Sequence, residues 1–164
     1  VNVYGASKLA GEYFAAYCPR HFIFRVAGLF GTAGCRAKGG KNFVEAMLKL
    51  GGEKKELQVT SDVVSSPTYT ADAALKIREI LSAGKPGLYH VANSGECSWS
   101  DFAREIFIQS CLDVKVIPVE RGPVENGVRR PMYSALGTVK SDPMRHWKEA
   151  LKAYLVERDS CNRI

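Results

Sequence analysis

The sequence has no apolar run near the eighteen or so residues that a membrane-spanning helix needs. Its opening residues, Val1-Asn2-Val3-Tyr4, lack the basic start and apolar stretch of a signal peptide. A cytoplasmic protein that crosses no membrane is therefore expected. The five cysteines, at positions 18, 35, 97, 111 and 161, form no Cys-x-x-Cys pair and are odd in number, so neither a zinc site nor a closed disulfide set is expected. His21, His90 and His146 stand far apart without ligand spacing, and no metal is assigned to them. Blocks of positive charge are also missing. The formal charge of +6 is spread over side chains with no run longer than Lys54-Lys55 or Arg129-Arg130. A scattered solvated surface fits that pattern better than nucleic-acid binding. Without repeats, low-complexity tracts or a flexible linker, residues 1–164 read as a single unit.

What is present is an alternation of helical and strand-like segments. Ala6 to Tyr17 is rich in Ala, Leu, Glu and Lys and is followed by Pro19, which predicts a helix. The β-branched and aromatic run from His21 to Val26 predicts a buried strand, and the glycines at 28, 31, 34, 39 and 40 a long loop. A helix is predicted from Asn42 to Leu50 with Phe43, Met47 and Leu50 on one face. A strand at 57–60 and a loop at 61–67 come next, then a helix capped by Thr70 and stopped by Gly84. Strands at 87–92 and 114–119 bracket a helix opening at Ser98, and a last helix is predicted from Pro143. Trp99 and Trp147 fall in apolar helical patterns and read as core anchors, while His90 reads as structural. Such alternation indicates an α/β protein.

Tyr4 and Lys8 carry the clearest chemistry. Four residues apart, they project from one face of a helix, one turn from each other. An adjacent ammonium favours the phenolate and lowers a tyrosine's pKa from its usual value of about 10. Such a pair suits proton transfer to a carbonyl oxygen.

The setting of the pair, Val3-Tyr4-Gly5-Ala6-Ser7-Lys8-Leu9-Ala10-Gly11-Glu12, resembles the Y-G-x-S-K-x-x-G-E stretch of extended short-chain dehydrogenases. Phe24-Arg25-Val26 with Gly31 and Asn42-Phe43-Val44 resemble the family's following strand and helix start. Ser66-Pro67-Thr68-Tyr69, Gly87-Leu88-Tyr89-His90, Asn93-Ser94-Gly95 and Ser98-Trp99 resemble the dTDP-4-dehydrorhamnose reductase subgroup, as do Arg130-Pro131, Ser134-Ala135-Leu136 and Trp147 with Ala150-Leu151.

The resemblance implies the C-terminal part of such an enzyme, a partial Rossmann-like sheet plus a substrate-binding region. It implies NADPH or NADH as cofactor, a sugar nucleotide as substrate, and a second copy of the chain as a candidate partner. Tyr4 and Lys8 would be catalytic, and with Arg25 would also approach the cofactor. Asn42, whose type a helix cap alone explains, would reach the sugar nucleotide as well, and Arg130, extended ahead of Pro131, would meet its diphosphate or hold a surface ion pair.

The sequence departs from the family in two places. No glycine-rich turn joins a first strand to a helix, so the nucleotide-binding half is expected to lie before Val1 and the chain alone to be inactive. The family's sugar-packing tryptophan is also missing after Arg25, where Phe30 is offered as a stand-in. A sugar-nucleotide epimerase or dehydratase, and a non-catalytic regulatory protein on the same fold, remain open beside the reductase. A parallel sheet interrupted between strands leaves an unpaired edge and apolar helix faces. Self-association or instability of the chain is the expected outcome, read by light scattering with a thermal melt; a highly stable monomer would oppose it.

Overall fold

The computed structural model describes residues 2–33, 42–122, 124–125 and 127–161. The chain opens with α1 (Val3–Ala16), β1 (Phe22–Arg25) and the short β2 (Leu29–Phe30). After α2 (Phe43–Glu53) come β3 (Glu56–Thr60), β4 (Val64–Ser65), β5 (Thr68–Tyr69) and α3 (Thr70–Ala83). Next are β6 (Gly87–His90), β7 (Asn93–Ser94), β8 (Cys97–Ser98), α4 (Trp99–Gln109) and β9 (Lys115–Val119). The chain ends with β10 (Val124–Glu125), β11 (Val128–Arg129), β12 (Met144–His146) and α5 (Trp147–Cys161).

The expected α/β architecture is present. Strands β1 and β6 pair in parallel from Phe22 opposite Gly87 to Arg25 opposite His90. Parallel ladders also join β2 to β5, β3 to β9 and β7 to β12, whereas β4 with β8 and β10 with β11 are antiparallel. Parallel partners need a crossover, and helices α2, α3 and α4 lie within the long connections between them.

Local chemistry sets most helix ends. The side chain of Asn2 accepts the Gly5 N–H at 2.7 Å, that of Asn42 the Glu45 N–H at 3.0 Å, and that of Ser98 the Asp101 N–H at 3.1 Å. Each satisfies a donor that the first helical turn leaves unpaired. Gly84 ends α3 in the left-handed conformation at φ 70°.

Three sequence expectations are corrected by packing. Thr70 is the first residue of α3 and not its cap; Tyr69 holds the cap position without a side-chain bond. Thr70 instead lies against Gly31, where an added Cβ would come within 1.9 Å of its Oγ1. Helix α2 continues past Leu50 through Gly51 to Glu53, because Gly51 allows close approach to Phe107, whose ring would sit 2.7 Å from an added Cβ. The last helix starts at Trp147, not Pro143, since residues 144–146 are drawn into a strand against Asn93 and Ser94.

Phe30, Tyr69, Phe102, Trp147 and Tyr154 form the centre of the main core, with Phe30 within 5.4–5.7 Å of the Tyr69, Phe102 and Tyr154 ring centroids. Phe102, Ile106 and Phe107 of α4 and Trp147, Leu151, Tyr154 and Leu155 of α5 are all buried, as their helical spacing predicts. A smaller cluster, Ala73, Ile80, Tyr89 and Val91, joins α3 to β6.

Between these clusters stands fully buried Asn93. Its Oδ1 accepts the Tyr69 N–H at 2.8 Å, and its Nδ2 donates to Asp72 Oδ2 at 2.8 Å and to the Arg145 carbonyl at 3.2 Å. One amide thus ties β5, α3 and β12 to β7. Asn93→Ala would leave the buried Tyr69 N–H without its acceptor and remove the bonds to Asp72 and the Arg145 carbonyl, and a loss of about 2–4 kcal/mol is expected in urea unfolding at neutral pH.

Candidate active site

Residues 17–21 are all that separate α1 from β1. With so short a connection, and with Glu12 lying against Arg25, the helix must run back along the strand. Its N-terminal end therefore projects past the carboxyl end of β1, which is where open α/β sheets receive ligands.

Tyr4 stands in the first turn of α1 and is 70% exposed, so its phenol is open to an incoming molecule. The Lys8 Nζ lies 5.4 Å from the centroid of the Tyr4 ring. The structure thus brings the two residues together on one helical face. Ser7 Oγ donates to the Tyr4 carbonyl at 2.8 Å, within the helix.

Arg25, the last residue of β1, has a specific partner that the sequence reading did not assign. Its Nε donates to Glu12 Oε1 at 2.8 Å and its Nη2 to Glu12 Oε2 at 2.6 Å, a two-point ion pair. The hydrogen bonds from Arg25 hold the Glu12 carboxyl below its ordinary pKa, burial opposes them, and the charges of Arg25 and His90 add to the lowering. A signal for this partner was available in the spacing: Tyr4, Lys8 and Glu12 recur every four residues and share one stripe of the helix.

The loop beyond β1 is held by backbone contacts. Gly28, at φ 53°, accepts the Thr68 N–H at 3.1 Å, and an added Cβ would lie 3.0 Å from the Ser66 carbonyl oxygen. Phe30, offered as a sugar-packing ring, is 1% exposed within the core and has no face left for a ligand. Val26 and Leu29 are the large apolar side chains that this loop exposes.

Asn42 is turned inward. Besides capping α2, its Nδ2 donates to the Gly31 carbonyl at 2.8 Å and to Tyr154 Oη at 3.3 Å, so both edges of the amide are used within the chain. The Tyr154 hydroxyl donates to Glu45 Oε1 at 2.6 Å, and Arg158 Nε donates to the same oxygen at 2.7 Å. Burial, together with the bond to Glu45, pushes the Tyr154 phenol up to about 12.

Arg130 is exposed and sits just before Pro131. The segment after it docks on the Ser-Pro-Thr turn: the Ser134 N–H donates to the Val64 carbonyl at 2.9 Å, and the Leu136 N–H to Ser66 Oγ at 3.1 Å. Two stretches noted separately in the sequence therefore form one surface, with the Tyr133 hydroxyl donating to Glu96 beside it. His90 Nδ1 lies 2.9 Å from the Gly137 carbonyl, a structural contact. Trp99 packs on Phe43 at 4.6 Å between centroids, and Trp147 is buried.

Burial and neighbouring carboxylates push the Cys97 thiol up to about 12, leaving it a poor nucleophile. Among the described residues no group of three or more His, Cys, Asp or Glu could hold a metal ion. A cleft of about 510 Å³ is lined by α3 with Met144 and Arg145, away from α1, and its Asp72 and Arg145 are already paired at 2.6 Å.

A tyrosine and a lysine one turn apart thus stand on a helix that runs back along a strand of a parallel pair, in an α/β protein. The RmlD substrate binding domain model matches residues 1–160, and the chain belongs to that family. It is similar to the Bacillus subtilis spore coat polysaccharide biosynthesis protein SpsK, with 41% identity over 97% of the chain and 56% of the relative. It is also similar to the Escherichia coli dTDP-4-dehydrorhamnose reductase, with 37% identity over 85% of the chain and 49% of the relative. The crystal structure of dTDP-4-dehydrorhamnose reductase from Bacillus anthracis, in complex with NADP, superimposes with a TM-score of 0.83 at 37% identity, covering 95% of this chain and 55% of that one. The chain thus spans about half the length of the relatives it matches.

A carboxylate whose pKa is lowered on folding stabilises the fold above its unfolded value, about 4.3 for glutamate, and that contribution is lost as pH falls through the lower folded value. Acidification is therefore expected to release α1 from β1 before the main core opens. Amide exchange of residues 3–16 against 99–109, followed by NMR from pH 6 to pH 3, would show α1 losing protection first; simultaneous loss would refute this order.

Proposed function

We propose that this chain supplies the proton donor and part of the substrate site of an NAD(P)H-dependent reductase of 4-keto sugar nucleotides. The observation that carries the reading is the exposed Tyr4 phenol with Lys8 beside it, at the helix end that projects beyond β1. The family membership and the names of the relatives support the same reading.

When bound, NADPH supplies hydride to the carbonyl carbon. The Tyr4 phenol donates its proton to the carbonyl oxygen, and the Lys8 ammonium stabilises the phenolate that remains. The two steps together convert a ketone to an alcohol, after which water reprotonates the tyrosine. Lys8 also suits a ribose hydroxyl, and exposed Val26 and Leu29 offer apolar surface to a flat ring; these groups fit the nicotinamide end of the cofactor. Arg130, exposed on the loop docked against Ser66, serves the diphosphate of the sugar nucleotide. Asn42 contributes by holding the Gly31 carbonyl and the start of α2.

No glycine-rich turn joins a first strand to a helix in the sequence, and the cofactor's pyrophosphate is proposed to be held by a separate nucleotide-binding half. The isolated chain is accordingly proposed to be inactive, and the assay requires the protein joined to a nucleotide-binding half. Self-association is proposed through α1 and the residue that caps it, where Val3, Tyr13, Phe14 and Tyr17 are all exposed.

In NADPH oxidation with a dTDP-4-dehydro-6-deoxy-sugar, Tyr4→Phe is expected to lower kcat about 10²–10⁴-fold, the usual contribution of a positioned proton donor. Normal turnover by the variant would reject the role. NADPH binding without turnover on any keto sugar, together with a tight protein partner, would favour the non-catalytic regulatory reading.

A further inference from the structure

Among the described residues of this chain, helix α1 has none that is buried, so apolar packing within the chain contributes little to fixing its rotation about its own axis. A helix lying on a sheet by weak surface contact can roll, and a roll of one residue turns every side chain by about 100°. Yet Tyr4 and Lys8 can act on a common ligand only if their stripe faces it. The side chain that shares this stripe and reaches the sheet is Glu12, two turns further along.

The Glu12 carboxylate is held at both oxygens by Arg25, at 2.8 and 2.6 Å. Its side chain is 17% exposed, compared with 41% for Arg25, so the carboxylate sits in the groove between helix and strand. A two-point bond between planar groups restricts rotation as well as distance, which a single contact would not do. From this anchor to Tyr4 is about 12 Å along the helix. The clamp is therefore far enough away to touch no reacting atom, while lying on the same stripe.

We infer that the Glu12–Arg25 pair is a positioning device that sets the rotation of α1 and aims the Tyr4/Lys8 stripe past the carboxyl end of β1. Arg25 acts through Glu12 and not by contact with the cofactor. The catalytic part of this inference rests on the proposed reductase reading; the clamp itself does not.

The experiment compares Glu12→Gln, Arg25→Gln and the exchanged pair Glu12→Arg/Arg25→Glu. Hydrogen exchange by mass spectrometry on the chain is expected to show residues 3–16 exchanging about tenfold faster in both single variants, with protection partly restored in the exchanged pair and α4 unchanged throughout. Unchanged exchange of α1 in both single variants would overturn the clamp. Because α4 reports the core, a variant that unfolds outright is recognised, and the exchanged pair then carries the test.

The second arm uses NADPH binding and turnover in the protein joined to its nucleotide-binding half. A positioning role predicts that both single variants lower kcat to a similar extent while the NADPH dissociation constant moves by less than about threefold. A dissociation constant raised more than about tenfold by Arg25→Gln alone, with Glu12→Gln unaffected, would make Arg25 a cofactor contact and overturn the inference. Failure of the unmodified protein to reduce any keto sugar would count against the reductase reading, and the exchange experiment would still decide the clamp.

Discussion

The buried amide of Asn93 is the constraint on which the rest of the fold depends. Its three hydrogen bonds meet a backbone donor at the head of α3, a carboxylate in the first turn of that helix, and a carbonyl of β12. Asp72, the carboxylate, is shared with Arg145, whose Nε and Nη2 approach it at 2.8 and 2.6 Å. Arg145 in turn lies 6.0 Å from the Tyr69 ring centroid. A polar group in such a position is costly when unpaired and directional when paired. It fixes where β12 lies, and with it the point where α5 can begin.

A second polar network secures the far side of the same core. Asn42, Glu45, Tyr154 and Arg158 link the Gly31 loop, the head of α2 and the last helix. Phe30 stacks on Tyr69 and meets Tyr154 edge-on, so the loop that leaves β1 is seated by rings as well as by hydrogen bonds. Gly28 allows a backbone contact with Ser66 and Pro67, and Gly31 the approach of the Thr70 side chain, that larger residues would block. Residues 26–31 beside the candidate site are therefore seated on the core, with Val26 and Leu29 as their outward face.

Helix α1 is held differently from the others. Helices α4 and α5 are fixed by buried apolar faces, whereas α1 leaves its aromatic residues exposed and meets β1 through a charged pair. Burial gives strength without direction. A two-point ion pair gives direction with less strength.

The sequence by itself determined the α/β class, the apolar faces of α4 and α5, and the Tyr4/Lys8 pair, because each rests on periodicity, caps or spacing within a few residues. Asn42 and Ser98 were legible as caps for the same reason. Tertiary structure alone decided that Phe30 belongs to the core, that residues 144–146 form a strand, and that α2 passes through Gly51. It also decided that Ser66 meets Leu136 across 70 residues and that Arg25 answers Glu12. These outcomes depend on partners distant along the chain, and local propensity yields wherever such a partner supplies a ladder bond, a ring contact or an opposite charge.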